Sequence, residues 1–245
     1  MKSFVKRLIP KQMLSGIRQL WFTTYSRESF SQEGEDLILE RFLENKKAGF
    51  YVDVGAHHPM RFSNTYRLYL SGWRGLNIDA NPGSMRMFRR SRPRDINVEA
   101  AVSQGNRVLR YYVFNEPALN TFDRERALRI TGGDYRIVKE LNITTQPLWE
   151  LLDRYVPKDT TIDLLTIDVE GFDYDVLLSN DWNRYTPEFI LVECLDISTL
   201  DQTYQDPAAR LLAAQNYSMV AKTLNSTLFK RVLSDGSSAT RVASS

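Results

Sequence analysis

The chain has 245 residues, 42% hydrophobic, 11% aromatic and 25% charged, values of an ordinary globular protein that exclude a disordered tail protein, a collagen-like repeat and a disulfide scaffold. A mean hydropathy of −0.38, with no apolar run of 18 residues, excludes a spanning helix, and the lone Cys194 admits no internal disulfide. Of the 32 basic residues, six (Lys2, Lys6, Arg7, Lys11, Arg18 and Arg27) stand in the first 27 positions with no acid, which leaves 26 bases against 30 acids, net −4, in the remainder.

That body is not a nucleic-acid binder by bulk charge. The single thiol and the lack of a secretory pattern point to the cytoplasm. In the front segment, Phe4, Leu8, Ile9, Met13, Ile17, Leu20 and Trp21 recur at helical spacing between the bases, interrupted by Pro10. Residues 1–28 therefore read as a basic amphipathic extension, either a peripheral anchor on an anionic inner membrane surface or a helix packed on its own domain.

Residues 29–233 read as one α/β domain. Ser29 with Gln32 three positions on has capping-box spelling, followed by an apolar helical face of Leu37, Ile38, Phe42 and Leu43. The run 50–54 is a buried parallel strand ending in Asp53-Val54-Gly55. A second strand, 75–78, ends at Asp79; a helix around Met85–Phe88 and a third strand near 96–102 follow. Residues 107–113 spell a further strand, and 115–145, poorly periodic, are expected to be an inserted loop region.

The rhythm then returns with a helix at 148–155 and strands at 163–167, 189–193, 219–223 and 227–231. Only Leu224, Asn225 and Ser226 separate the last two strands, too few for a parallel crossover, so they form an antiparallel hairpin. The sheet is thus doubly wound and mostly parallel, with a terminal antiparallel strand. Residues 234–245, rich in Ser and Ala, read as a flexible tail.

Ligands in such sheets bind at the carboxyl ends of the strands. There, Gly55 lets the backbone approach a ligand, and Asp79, 24 positions on, is placed to accept hydrogen bonds from ribose hydroxyls. After Gly55 come Ala56, His57, His58 and Pro59, so the full G-x-G-x-x-G pattern of a dinucleotide fold is missing. An NAD(P)-dependent oxidoreductase is disfavoured but stays open as an alternative, as does a catalytically silent module on a glycan-assembly complex.

The runs Ser31-Gln32-Glu33-Gly34-Glu35-Asp36, Tyr51 to Pro59, Ser63-Asn64-Thr65-Tyr66, Gly72 to Gly75, Asn77-Ile78-Asp79-Ala80, Asn120-Thr121-Phe122 and Leu164 to Phe172 resemble those of the FkbM family of methyltransferases over residues 29–232. The resemblance implies a class I, Rossmann-like fold, S-adenosylmethionine (SAM) as cofactor, and O-methylation of a sugar, glycan or natural-product hydroxyl. On this reading Asp53, Gly55 and Ala56 shape the methionine end, Asp79 and Ala80 hold the ribose, and Glu99 or Ala101 borders the adenine.

Asp168, Glu170 and Asp173 follow one strand and Glu193 ends the next, so several acids crowd one rim, where mutual repulsion raises a pKa or recruits a cation. Asp168, also counted among the cofactor-binding residues, and Glu170 are expected to line the methyl-transfer crevice, with His57 as a competing base; Asp173 reads as a first-turn helix acid. A divalent metal is compatible with the cluster but not predicted. The Arg86–Arg94 run reads as a solvated helix face. Partners are a small-molecule or glycan acceptor and no nucleic acid.

Overall fold

The structure, a computed structural model, describes residues 26–195 and 199–232; most of the amphipathic extension and the 234–245 tail lie outside them. In chain order the elements are α1 (Glu35–Leu43), β1 (Phe50–Val54), α2 (Tyr66–Leu70), β2 (Arg74–Asp79), α3 (Met85–Ser91), β3 (Ile96–Glu99), β4 (Ala101–Val102) and β5 (Val108–Phe114). After them come a 3-10 turn (Pro117–Leu119), α4 (Arg124–Ile130), β6 (Ile137–Gln146), α5 (Leu148–Tyr155), β7 (Leu164–Ile167), α6 (Asp173–Leu178), β8 (Phe189–Glu193), α7 (Leu200–Gln205), α8 (Pro207–Ala214), β9 (Tyr217–Lys222) and β10 (Ser226–Arg231).

Seven strands form the central sheet in the order β3-β2-β1-β7-β8-β10-β9. β10 alone runs against its neighbours, antiparallel to both β8 and β9, so the antiparallel strand is the last in sequence but sits inside the sheet. Every residue of β1, β7 and β8 is buried, because helices cover both faces. Alternation assigns the faces: Val52, Val54, Leu165, Ile167, Ile190 and Val192 pack against α5 and α8, whereas Tyr51, Leu164, Phe189 and Leu191 pack against Leu39, Leu43, Leu68 and Trp73. Among the described residues no helix is long and apolar enough to cross a membrane.

Three expectations are corrected. Gln32 does not cap α1, whose N-cap is Gly34 at φ 86° with no side-chain cap; Ser29 and Ser31 instead donate to Asp36 at 2.6 and 3.0 Å. Residues 115–145 are not a loop region. They carry the 3-10 turn, α4 and most of the ten-residue β6, which pairs antiparallel with β5 and parallel with β4 in a second, three-stranded sheet. The third strand is interrupted at Ala100, where the chain passes from the central sheet into this second one.

Candidate active site

A cleft enclosing about 800 Å³, open mouth included, lies over the carboxyl ends of β1, β2 and β7 and is walled by the second sheet. Its floor is set by Gly55, which leaves β1 at φ 85° as its N–H bonds the Ile78 carbonyl at 2.9 Å. His57, at φ 51°, follows in the left-handed region.

Asp79 is nearly buried, and its two carboxylate oxygens accept from the backbone N–H groups of His57 and Asn81, both at 2.8 Å. Burial pushes its pKa up, against those hydrogen bonds. The His57 imidazole, packed nearly parallel to Phe62 with centroids 6.4 Å apart, is pushed down to about 4 by burial first and by Arg61 next. It is neutral at physiological pH. His58 shapes the loop, its Nδ1 accepting from the Met60 and Arg61 N–H groups.

Across the cleft, Asp168 and Glu170 follow β7 in a loop tied by Asp173, whose carboxylate accepts from the Val169 and Gly171 N–H groups, both at 3.1 Å. Burial and these neighbouring acids raise Asp168 well above the ordinary carboxylate range and bring Asp173 to about 7. Glu170, at φ 56°, pairs with Arg126 of α4; burial raises its pKa and Arg126 opposes the rise. Carboxylate oxygens of Asp168, Glu170 and Glu193 lie within 4.8 Å of one another, and Glu193 Oε2 is buried with no protein partner.

Of the residues expected to bind cofactor or do chemistry, Gly55, Asp79, Ala80, His57, Asp168 and Glu170 line this cleft. Four others do not. Asp53 points to the opposite sheet face, where it accepts from Thr65 Oγ1 at 2.6 Å. Ala56 packs on Met85 and Phe88. Glu99 is exposed and accepts from the Gly83 N–H at 2.7 Å. Ala101 is turned inward by strand alternation, leaving Ala100 and Val102 at the cleft.

Sequence reasoning missed Gln32, Tyr111 and Phe62, which also line the cleft, and gave no role to Asn120 and Phe122. Asn120 Oδ1 accepts from the Phe114 N–H at 2.8 Å, and its Nδ2 is buried without a partner, as is His57 Nε2. Buried polar atoms without partners are uncommon in proteins, so the His57 nitrogen on this cleft fits a polar ligand there. The only advance sign was the Asn-Thr-Phe run in an aperiodic stretch.

Arg92 was missed in another way. Fully buried, it donates to the Pro59 carbonyl, Ser63 Oγ, Thr65 Oγ1 and Asn77 Oδ1. It thereby fixes the 59–66 segment that follows His57.

Residues 53–219, more than half of the chain, match the methyltransferase FkbM domain family. The chain belongs to this family. It is a SAM-dependent methyltransferase, and the cleft fits that cofactor: apolar walls at Ile78, Ala100 and Val102, a carboxylate at Asp79 and the unpaired His57 nitrogen. Among solved structures, the methyltransferase is similar to a TehB-like SAM-dependent methyltransferase from Corynebacterium glutamicum at 10% identity, with 89% of this chain and 97% of that chain covered and a TM-score of 0.42. It is also similar to an O-methyltransferase from Bacillus cereus in complex with S-adenosylhomocysteine (SAH), at 11% identity, 91% of each chain and a TM-score of 0.42. No curated protein matches the methyltransferase.

Proposed function

We propose that this enzyme methylates a hydroxyl oxygen of a small sugar, glycan or natural-product acceptor, its domain spanning residues 29–233 and its reaction taking place in the cytoplasm. The observation that carries this reading is the pair of carboxylates, Asp168 and Glu170, on the same cleft as Asp79. Bound SAM supplies an electrophilic methyl group on a sulfonium. Asp79 accepts from ribose hydroxyls, and Asn120 Nδ2 donates to a polar atom of the bound ligands.

A hydroxyl is a weak nucleophile until its proton has somewhere to go. Asp168, a stronger base for its raised pKa, takes that proton as the oxygen bonds to the methyl carbon and the carbon–sulfur bond breaks to leave SAH, an effect typically of about 10² to 10⁴ in rate. Glu170, held by Arg126, orients the acceptor. Neutral His57 is the competing acceptor of the proton. The net charge of −4 outside the first 27 residues favours a small acceptor over a nucleic acid.

The test is an assay of SAH release by the purified protein with SAM and a panel of neutral sugars, sugar nucleotides, polyketide alcohols and RNA. Expected is a product heavier by one methyl group and carrying an O-methyl NMR signal. Methylation of RNA alone, or of nitrogen or carbon alone, overturns the reading.

A further inference from the structure

A second concavity shares no residue with the cleft. It lies between the start of α5, the segment after α6, the turn after β4 and the end of α8, and encloses about 1340 Å³ with its open mouth. Two tryptophans line it. Trp149 is 37% exposed on this surface. Trp182 is held edge-on by Tyr217, with ring centroids 5.9 Å apart.

Four carboxamides, Gln104, Asn180, Asn183 and Gln215, share the lining. Asn180 is only 8% exposed; its Nδ2 donates to the Tyr185 carbonyl at 2.9 Å, which leaves Oδ1 buried with no partner. Asn183, by contrast, is exposed on the groove. The charged residues of the lining, Asp181 and Arg184, are one of each sign, and Arg184 is already paired with Asp153.

Flat aromatic faces beside carboxamides, with no net charge, match one ligand chemistry. A pyranose offers an apolar C–H face to an indole and a ring of hydroxyls to amide donors and acceptors, whereas a phosphate-bearing ligand would require unpaired cations. We infer that this groove is a binding site for neutral saccharides, distinct from the methyl-transfer cleft, with Trp149 as the stacking platform and the exposed Asn183 carboxamide hydrogen-bonding to a sugar hydroxyl. The inference does not depend on whether the methyl acceptor is itself a sugar.

The experiment titrates the full-length protein with maltotriose, mannotriose and chitotriose, following tryptophan fluorescence, with and without saturating SAH. Expected is a saturable response to at least one of them that SAH leaves in place, is weakened about 10-fold or more in Trp149→Ala, and is restored towards wild type in Trp149→Tyr. Asn183→Ala, at an exposed position, weakens the same response. SAH affinity unchanged in all variants shows that they fold. No saturable response up to about 10 mM of any of the three, weaker than any useful affinity, overturns the inference; so does a response that SAH displaces or that Trp149→Ala and Asn183→Ala both leave intact.

Discussion

A Cβ atom on Gly55 would stand 1.7 Å from the backbone carbonyl oxygen of Asp168. The two residues each lie one position beyond the last pair of β1 and β7, Val54 and Ile167, and the Asp168 N–H bonds the Val54 carbonyl at 3.0 Å. The cofactor turn and the acid loop therefore rest on each other at backbone level. Gly55→Ala combines this collision with left-handed backbone, for an expected loss of about 3 kcal/mol or more and loss of SAH binding. Urea unfolding and calorimetric titration check it; a variant within about 0.5 kcal/mol of wild type would show that the loops slide apart freely.

Arg92 gives a second prediction. Its fork reaches four separate acceptors in a site without water access, and Thr65 Oγ1, which accepts from Arg92 at 2.8 Å, donates onward to Asp53. The three donors of a lysine cannot reproduce that planar arrangement. Arg92→Lys is expected to cost about 3 kcal/mol or more and to raise the protease sensitivity of residues 59–66. A urea midpoint equal to wild type would show the network to be replaceable.

These residues also mark what the sequence made legible. β1, β7 and β8 were readable because a strand covered on both faces is a near-continuous apolar run, and the β9–β10 hairpin because three residues cannot hold a crossover. The cleft-lining half of the site followed, since Gly55, Asp79, Asp168 and Glu170 all sit at strand ends. Arg92 was not legible: its neighbours Arg86, Arg89 and Arg90 are solvated helix residues, and only the tertiary fold separates it from them. Of the second sheet β5 was read as a strand but β6 was not, because it is largely exposed and its alternation, Leu141 and Ile143 between Asn142 and Thr144, extends over only a few residues.

Asp53 yields a pH dependence of stability. Burial pushes its carboxyl up to about 6, against Thr65 and Arg92, whereas in the unfolded chain it titrates near 3.9. The folded state thus holds this proton more tightly, so the contribution is fully present below the unfolded value and is lost as pH rises to about 6. Asp53→Asn removes the titration and keeps an acceptor for Thr65. Relative to wild type, the variant is expected to gain about 2 kcal/mol between about pH 4.5 and 7.5, read by urea unfolding at both; a difference that does not change with pH would contradict the assignment.

For the cofactor, Asp79 is the residue to test. It already holds the backbone of His57 and Asn81, so Asp79→Asn keeps one acceptor while removing the charge, and Asp79→Ala removes both. Expected losses of SAH affinity are about 1 to 3 kcal/mol, larger for alanine. Unchanged affinity by calorimetry in the alanine variant removes Asp79 from the site.

The base is separable from the binding residues by its kinetics. Asp168→Asn is expected to lower kcat by about 10² to 10⁴ while SAH affinity stays within about threefold. The Asp168 carboxyl is raised chiefly by burial and then by Glu170 and Asp173, so the rate should climb with pH along a limb above the ordinary carboxylate range, as the carboxyl loses its proton. His57, neutral above about pH 5 because its pKa is near 4, cannot produce that limb, and His57→Gln should leave it in place. A limb that survives in Asp168→Asn and disappears in His57→Gln would reverse the two roles.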